Sequence, residues 1–291
     1  MNAKDPRALK ATWLAMQAFG RISRWSSGFF AAHLWFTPWP VAVSERGRAK
    51  QAKWLSATEP VTFDVDGLTV RGFSAGQGPV ILLVHGWGES AASLGSFIEP
   101  FVTSGYRVVG IDMPAHGNSR QVETNLFQSS AVVRGVARQL GEVHAVIAHS
   151  IGGAVTTIAL SEGLEVDRVA LIAPVSNVHH AIEKFSFIFQ VPEKAALGLR
   201  DHIERRFGSD VWNRLDSPAL ARQLTTPALI VHDTGDPQVD LADSETLAAA
   251  WPGAHLVVTE GLGHATLLRD ASVIQHIQEF VTGVGSRLVS A

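Results

Sequence analysis

From about residue 61 onward short apolar runs recur along the chain, at 61–65, 68–74, 80–85, 107–112, 143–149, 168–173, 228–233 and 255–259. Runs this short and this uniformly apolar are the mark of strands buried on both faces of a parallel sheet. Between most of them lie amphipathic stretches, at 93–103, 129–140, 241–250 and 272–281, long enough for the helices that carry a chain from one parallel strand to the next. Asp66-Gly67, between the first two runs, is a two-residue hairpin signal. The sheet is therefore expected to begin antiparallel and continue parallel. This is a mostly parallel, doubly wound α/β arrangement, whose functional groups gather on loops at the C-terminal ends of the strands.

Two segments interrupt the alternation. About fifty residues separate the run ending near 173 from the one starting at 228, too many for an ordinary crossover. Their Ala, Leu, Arg and Glu content reads as helical, with Pro192 dividing two pieces. A helical cap over 178–223 is expected, inserted into a core made of 59–177 and 224–291. The other oddity is residues 1–58, where Leu9, Trp13, Met16, Ile22, Trp25 and Phe29 recur at roughly helical spacing. Five of the eight tryptophans fall there (Trp13, Trp25, Trp35, Trp39 and Trp54), so an N-terminal helical extension is expected. Its start loosely imitates a signal peptide, but Gln17 and Arg21 interrupt the apolar stretch, and it reads as retained. The uncharged run 25–44 is long enough to span a bilayer, yet Ser26, Ser27, Gly28, His33, Pro38 and Pro40 argue against a continuous apolar helix.

Composition narrows the chemistry. With 46% hydrophobic and 18% charged residues the chain can bury a core, and with no cysteine it has neither a thiolate nucleophile nor a zinc–thiolate site. The formal net charge of −3 hides an asymmetry: residues 1–58 carry nine Lys/Arg against Asp5 and Glu45, a net of +7, and the remainder carries −10. Nothing here attracts nucleic acid globally, and no G-x-G-x-x-G follows a strand. The basic, Trp-rich end has two destinations, the acidic body of the same molecule or an anionic membrane surface. Tethering makes docking on the body the expected one. A cytoplasmic location follows, with peripheral membrane contact through 1–58 as the alternative; the oligomeric state is left open.

The strongest chemical signal is Ala148-His149-Ser150-Ile151-Gly152-Gly153, directly after an apolar run and directly before the helix-compatible stretch 154–160. A serine at so sharp a strand-to-helix turn holds its hydroxyl out of the sheet, and small residues two before and two after it let strand and helix approach closely. Ala148 and Gly152 meet that need. The helix that follows points its N-terminal amides at the serine, which favours an oxyanion there. The competing reading of Ser150 is an ordinary helix N-cap.

Four further stretches stand in the order this turn demands. His85-Gly86-Trp87-Gly88 follows one apolar run, and Asp112-Met113-Pro114-Ala115-His116-Gly117-Asn118-Ser119 follows the next. Val231 to Val239 (VHDTGDPQV) and Gly261-Leu262-Gly263-His264 lie near the C-terminus. With these four loops the chain resembles the α/β-hydrolase superfamily over about residues 60–291, in the order Ser, Asp, His. The resemblance implies Ser150 as nucleophile, His264 as its base and Asp236 as the acid that orients the imidazole, with Asp233 as the runner-up acid and Asp240 third. It implies an oxyanion hole from the backbone amides of Trp87 and Ile151, in a loop of the type with one residue after His-Gly rather than the HGGG type.

Trp87, Phe185, Phe187 and Phe189 are candidates for an apolar acyl pocket, weighed evenly against packing in the cap's own core. His85 and His116 read as loop organisers, and the His149 side chain need not face the site. No compact His/Asp/Glu ligand spacing occurs, so no metal and no cofactor are expected. The expected activity is cleavage of a small-molecule carboxylic ester with an apolar acyl group through an acyl-enzyme. Thioesterase, acyltransferase and carbon–carbon bond hydrolase activities use the same triad. A non-catalytic binding protein or a membrane-peripheral protein on the same fold is the alternative of another class.

Overall fold

In the computed structural model, which describes residues 6–20, 23–119 and 121–283, the apolar runs form one eight-stranded sheet. The strands are β1 (Glu59–Val65), β2 (Leu68–Ala75), β3 (Val80–Val84), β4 (Arg107–Ile111), β5 (Val143–His149), β6 (Arg168–Ile172), β7 (Ala228–Asp233) and β8 (His255–Thr259). Their spatial order is β1-β2-β4-β3-β5-β6-β7-β8. β2 pairs antiparallel with both β1 and β4, and every other pairing is parallel. β3 and β5 sit in the middle, and all five residues of β3 are buried. Alternate side chains of β3 feed opposite cores: Val80, Leu82 and Val84 join one apolar cluster, Ile81 and Leu83 the other.

The helices of the N-terminal segment are α1 (Pro6–Phe19), α2 (Arg24–Phe36) and α3 (Glu45–Leu55). In the core, a 3₁₀ turn (Ala91–Phe97) leads into α4 (Ile98–Thr103), followed by α5 (Leu126–Leu140) and α6 (Ile151–Ser161). After β6 come α7 (Val178–Ile188), α8 (Glu193–Phe207) and the short α9 (Val211–Arg214) and α10 (Ser217–Ala221). The chain then returns to the core with α11 (Leu241–Ala250), α12 (Gly263–Thr266) and α13 (Ala271–Thr282). Among the described residues no helix is long and apolar enough to cross a membrane.

Helices α1, α2 and α7–α9 share a third apolar cluster, in which Met16, Leu34 and Phe36 pack with Ile182, Leu199 and Ile203. Burial differs here from the sequence expectation. Met16 is fully buried, but Trp25 and Phe29 are 67% and 53% exposed; Ile22 and the side chain of Leu9 lie outside what is described. In the first part of α2 the buried face is instead its small-residue face, Ser27, Gly28, Ala31 and Ala32. The reason is a close helix crossing: a Cβ on Gly28 would sit 2.5 Å from the backbone of Gly198 in α8, so at the crossing only small residues face inward and Trp25 and Phe29 turn out, while Leu34 and Phe36 are buried further along α2. Polar contacts flank α2, where Arg24 forks onto Asp201 of α8 and His33 meets Glu123 at 2.8 Å.

Candidate active site

Ser150 stands between β5 and α6 with φ 54° and ψ −122°, a strained conformation for a residue with a side chain. The turn is pinned by Ser150 N–H donating to the Ile172 carbonyl at 2.9 Å, while the Ser150 carbonyl accepts from Gly153 N–H. Gly152 is required by space: a Cβ there would lie 2.6 Å from the Val84 carbonyl oxygen of β3. The Ser150 hydroxyl makes no capping bond to α6. The N-cap reading therefore does not account for this serine.

The loops after β7 and β8 bring the next two groups together. His264 Nδ1 lies 2.6 Å from Asp236 Oδ2, and both side chains are almost fully buried. A carboxylate can only accept, so Nδ1 carries the proton and Nε2 keeps its lone pair. The other Asp236 oxygen accepts from the N–H groups of Gln238 and Val239 at 2.7 and 3.0 Å. Against the upward push of burial, the hydrogen bond and charge of His264, followed by these two amides, hold the Asp236 pKa below the usual carboxylate range. Burial lowers the His264 pKa, and the nearby charge on His149 adds to this, outweighing the upward pull of Asp236.

Asp233 and Asp240 do other work. Asp233, fully buried, accepts from Gly235, Leu262 and Gly263 N–H and from Thr259 Oγ1, all within 3.0 Å, tying the two loops to each other. Those bonds overcome its burial and hold its pKa down to about 2. Asp240 pairs with Lys184 of α7 at 3.1 Å.

A second carboxylate–histidine pair adjoins the first, and the sequence reading passed over it. The buried His149 ring lies 4.5 Å from the His264 ring, and its Nδ1 is 3.1 Å from Glu89 Oε2. The same Glu89 oxygen accepts from Gly86 N–H at 3.0 Å and Ser93 Oγ–H at 2.9 Å. His85, also buried, bridges loops as expected: Met113 N–H donates to its Nε2 at 3.0 Å, and its Nδ1 lies 2.7 Å from the Gly86 carbonyl. Burial pushes the His85 pKa down. His116 Nδ1 lies 2.9 Å from the Pro114 carbonyl.

Above Ser150 a cavity of about 320 Å³ is lined by Trp87, Ile151, Phe185 and Phe189 among others. Phe187 is not among them. It is 85% exposed, because residues two apart on a helix point to opposite sides, whereas 185 and 189 share a face. No group of three or more His, Cys, Asp or Glu among the described residues is placed to hold a metal ion.

Two family models match the chain. The family model for the alpha/beta hydrolase fold matches residues 79–215, and one described as TAP-like protein matches 209–284. The magnesium-chelatase 30 kDa subunit of Rhodobacter capsulatus is 32% identical over 137 residues, 46% of this chain and 48% of that protein. The pimeloyl-[acyl-carrier protein] methyl ester esterase of Aeromonas hydrophila is 36% identical over 87 residues, 30% of this chain and 34% of that one. The chain thus spans less than half the length of these curated relatives. A bacterial membrane phospholipase A superposes with a TM-score of 0.63 at 20% identity, covering 81% of this chain and 89% of its own, and shows the shared fold. The strand order, the strained serine turn and the family matches that together run from β3 to α13 lead to one conclusion: this chain belongs to the α/β-hydrolase family.

Proposed function

We propose that the protein is a serine hydrolase that cleaves carboxylic esters through an acyl-enzyme on Ser150. The observation that carries this reading is the 2.6 Å bond between Asp236 and His264 in loops beside the strained Ser150 turn. A serine hydroxyl is a weak nucleophile near neutral pH and needs a base. Ser150 Oγ bonds to the ester carbonyl carbon as its proton passes to His264 Nε2, and the imidazolium is stabilised by Asp236. The alcohol departs with that proton. Water then attacks the acyl-enzyme with His264 again as base, releasing the acid and restoring Ser150.

Negative charge on the carbonyl oxygen is met by the backbone N–H groups of Ile151, at the start of α6, and of Trp87. The lowered pKa of His264 supports this role, since a base must be unprotonated at working pH. Among the relatives, the methyl ester esterase and the phospholipase A bear names of enzymes that cleave carboxylic esters.

The test is labelling by a fluorophosphonate read by peptide mass spectrometry, with turnover of a chromogenic ester alongside. Label is expected on Ser150 alone, and Ser150→Ala is expected to lose it and to cut turnover by on the order of a thousandfold or more. Ordinary turnover in Ser150→Ala would end the reading.

A further inference from the structure

The cavity over Ser150 is built from three parts of the chain. The core supplies Ser150, Ile151 and Trp87. Helix α7 supplies a stripe in which His180, Lys184, Phe185, Ile188 and Phe189 follow at helical spacing, polar at its start and apolar at its end. Facing that apolar end, the last turn of α2 and the loop after it supply Leu34, Trp35, Phe36 and Trp39. Trp35 meets Phe185 edge to face at 5.2 Å, and Trp39 meets Phe189 at 5.3 Å.

This N-terminal wall is fixed in place at several points. The Phe36 carbonyl accepts from Thr124 N–H at 2.9 Å, and Val41 N–H donates to the Gly88 carbonyl at 2.8 Å, in the loop that carries Trp87. From α1, Trp13 Nε1–H donates to the Phe189 carbonyl at 2.7 Å, bracing the end of α7. The wall is thus tied both to the candidate oxyanion loop and to the cap. Ile188 lines the cavity and is 67% exposed, which marks where the chamber meets solvent.

The ionisable groups of the lining are already paired with one another. Lys184 Nζ lies 3.1 Å from Asp240, and His180 Nδ1 lies 2.9 Å from Asp243. The opposite half is aromatic and aliphatic. A charged acyl group placed there would lose its water and gain no partner, whereas hydrocarbon gains by leaving water.

We propose that residues 34–39 are a specificity element: with α7 they enclose an acyl-chain site that makes this protein prefer esters of medium- and long-chain fatty acids over short or charged ones. The inference rests on the ester-hydrolase reading above. It gives the N-terminal segment a part in choosing substrate, through the walls it lends to the cavity.

The experiment is a chain-length series of p-nitrophenyl esters from acetate to palmitate, run on the full chain. Each fully buried methylene is worth at most about fourfold, so kcat/KM is expected to rise by about a hundredfold or more from acetate to decanoate. Trp35→Ala opens the wall and is expected to lower the decanoate-to-acetate ratio about tenfold. Ala181→Phe, which fills the cavity from the α7 side, is expected to lower the same ratio. A series that peaks at acetate, or a ratio that both variants leave in place, overturns the inference.

A binding measurement separates this from failure of the hydrolase reading. Titration of Ser150→Ala with methyl decanoate is expected to quench tryptophan fluorescence saturably, and adding Trp35→Ala is expected to weaken that binding about tenfold. Saturable binding with no ester turnover and no fluorophosphonate label in the wild type would sink the hydrolase reading and keep the chain site. Turnover of short esters without any such binding would sink the chain site and keep the hydrolase.

Discussion

Two carboxylate–histidine pairs lie side by side in this molecule, and they titrate in opposite directions. Asp236–His264 has the shorter contact, 2.6 Å against 3.1 Å for Glu89–His149, yet its histidine pKa is lowered whereas that of His149 is raised. Burial opposes the cation in both rings. At His149 the charge and hydrogen bond of Glu89 outweigh it, with further upward pull from the His264 backbone and the Asp236 charge. At His264 burial outweighs the hydrogen bond and charge of Asp236, and the neighbouring His149 adds to the lowering. Two like residues whose surroundings push their pKa values apart are suited to two roles: the His264 ring is biased toward the neutral form with a lone pair to offer, and the His149 ring toward the cation that Glu89 holds in place.

The widest separation between these roles is expected on removing the acid of the first pair. Asp236→Asn keeps the shape of the loop but allows the wrong tautomer of His264, and kcat is expected to fall on the order of a thousandfold or more, measured with any ester the wild type turns over. Asp233→Asn is the control within the same loop. It weakens the buried bonds that tie Gly263 and Leu262 to β7, so its effect is expected on folding, roughly 1–3 kcal/mol in urea denaturation, with kcat of the folded protein down less than tenfold. The reverse ranking in kcat would make Asp233 the acid.

Much of this was legible in the sequence. Strands buried on both faces read as unbroken apolar runs, so β5 and β7 begin and end where their runs do. The serine turn was legible because it demands small residues at fixed offsets, and Gly152 against β3 is that demand made visible. What failed was helix phase where two helices come unusually close. Trp25 and Phe29 looked like the inward stripe of α2, but the Gly28–Gly198 crossing reserves the interface for residues without bulk. Phe187 failed by the same kind of rule, since spacing by two on a helix reverses direction. Glu89 and His149 were hidden for another reason: they lie sixty positions apart, and only the β3–β5 pairing brings their loops together. The one local signal was the position of His149 directly before Ser150.

The smallest expected effect is the sharpest probe of the second pair. In Glu89→Gln the amide oxygen can still accept from Gly86 and Ser93, but the negative charge is gone, and burial then leaves His149 neutral. His264 loses a neighbouring cation, which lowered its pKa, and a carboxylate, which raised it more weakly. Its pKa should therefore rise, and the acid limb of the kcat/KM profile should move to higher pH. Stability gives a second readout with its own sign. The raised His149 pKa contributes stability that is complete below 6.5 and lost as pH rises through its folded-state value; the lowered Glu89 pKa contributes stability present above 4.5 and lost as pH falls. The wild type should thus exceed Glu89→Gln in stability most between about pH 4.5 and 6.5, and the gap should narrow on either side, as urea midpoints at pH 5.5 and pH 9 will show. A gap equal at both pH values, with an unmoved acid limb, would mean that His149 is neutral and that the two pairs differ in geometry alone.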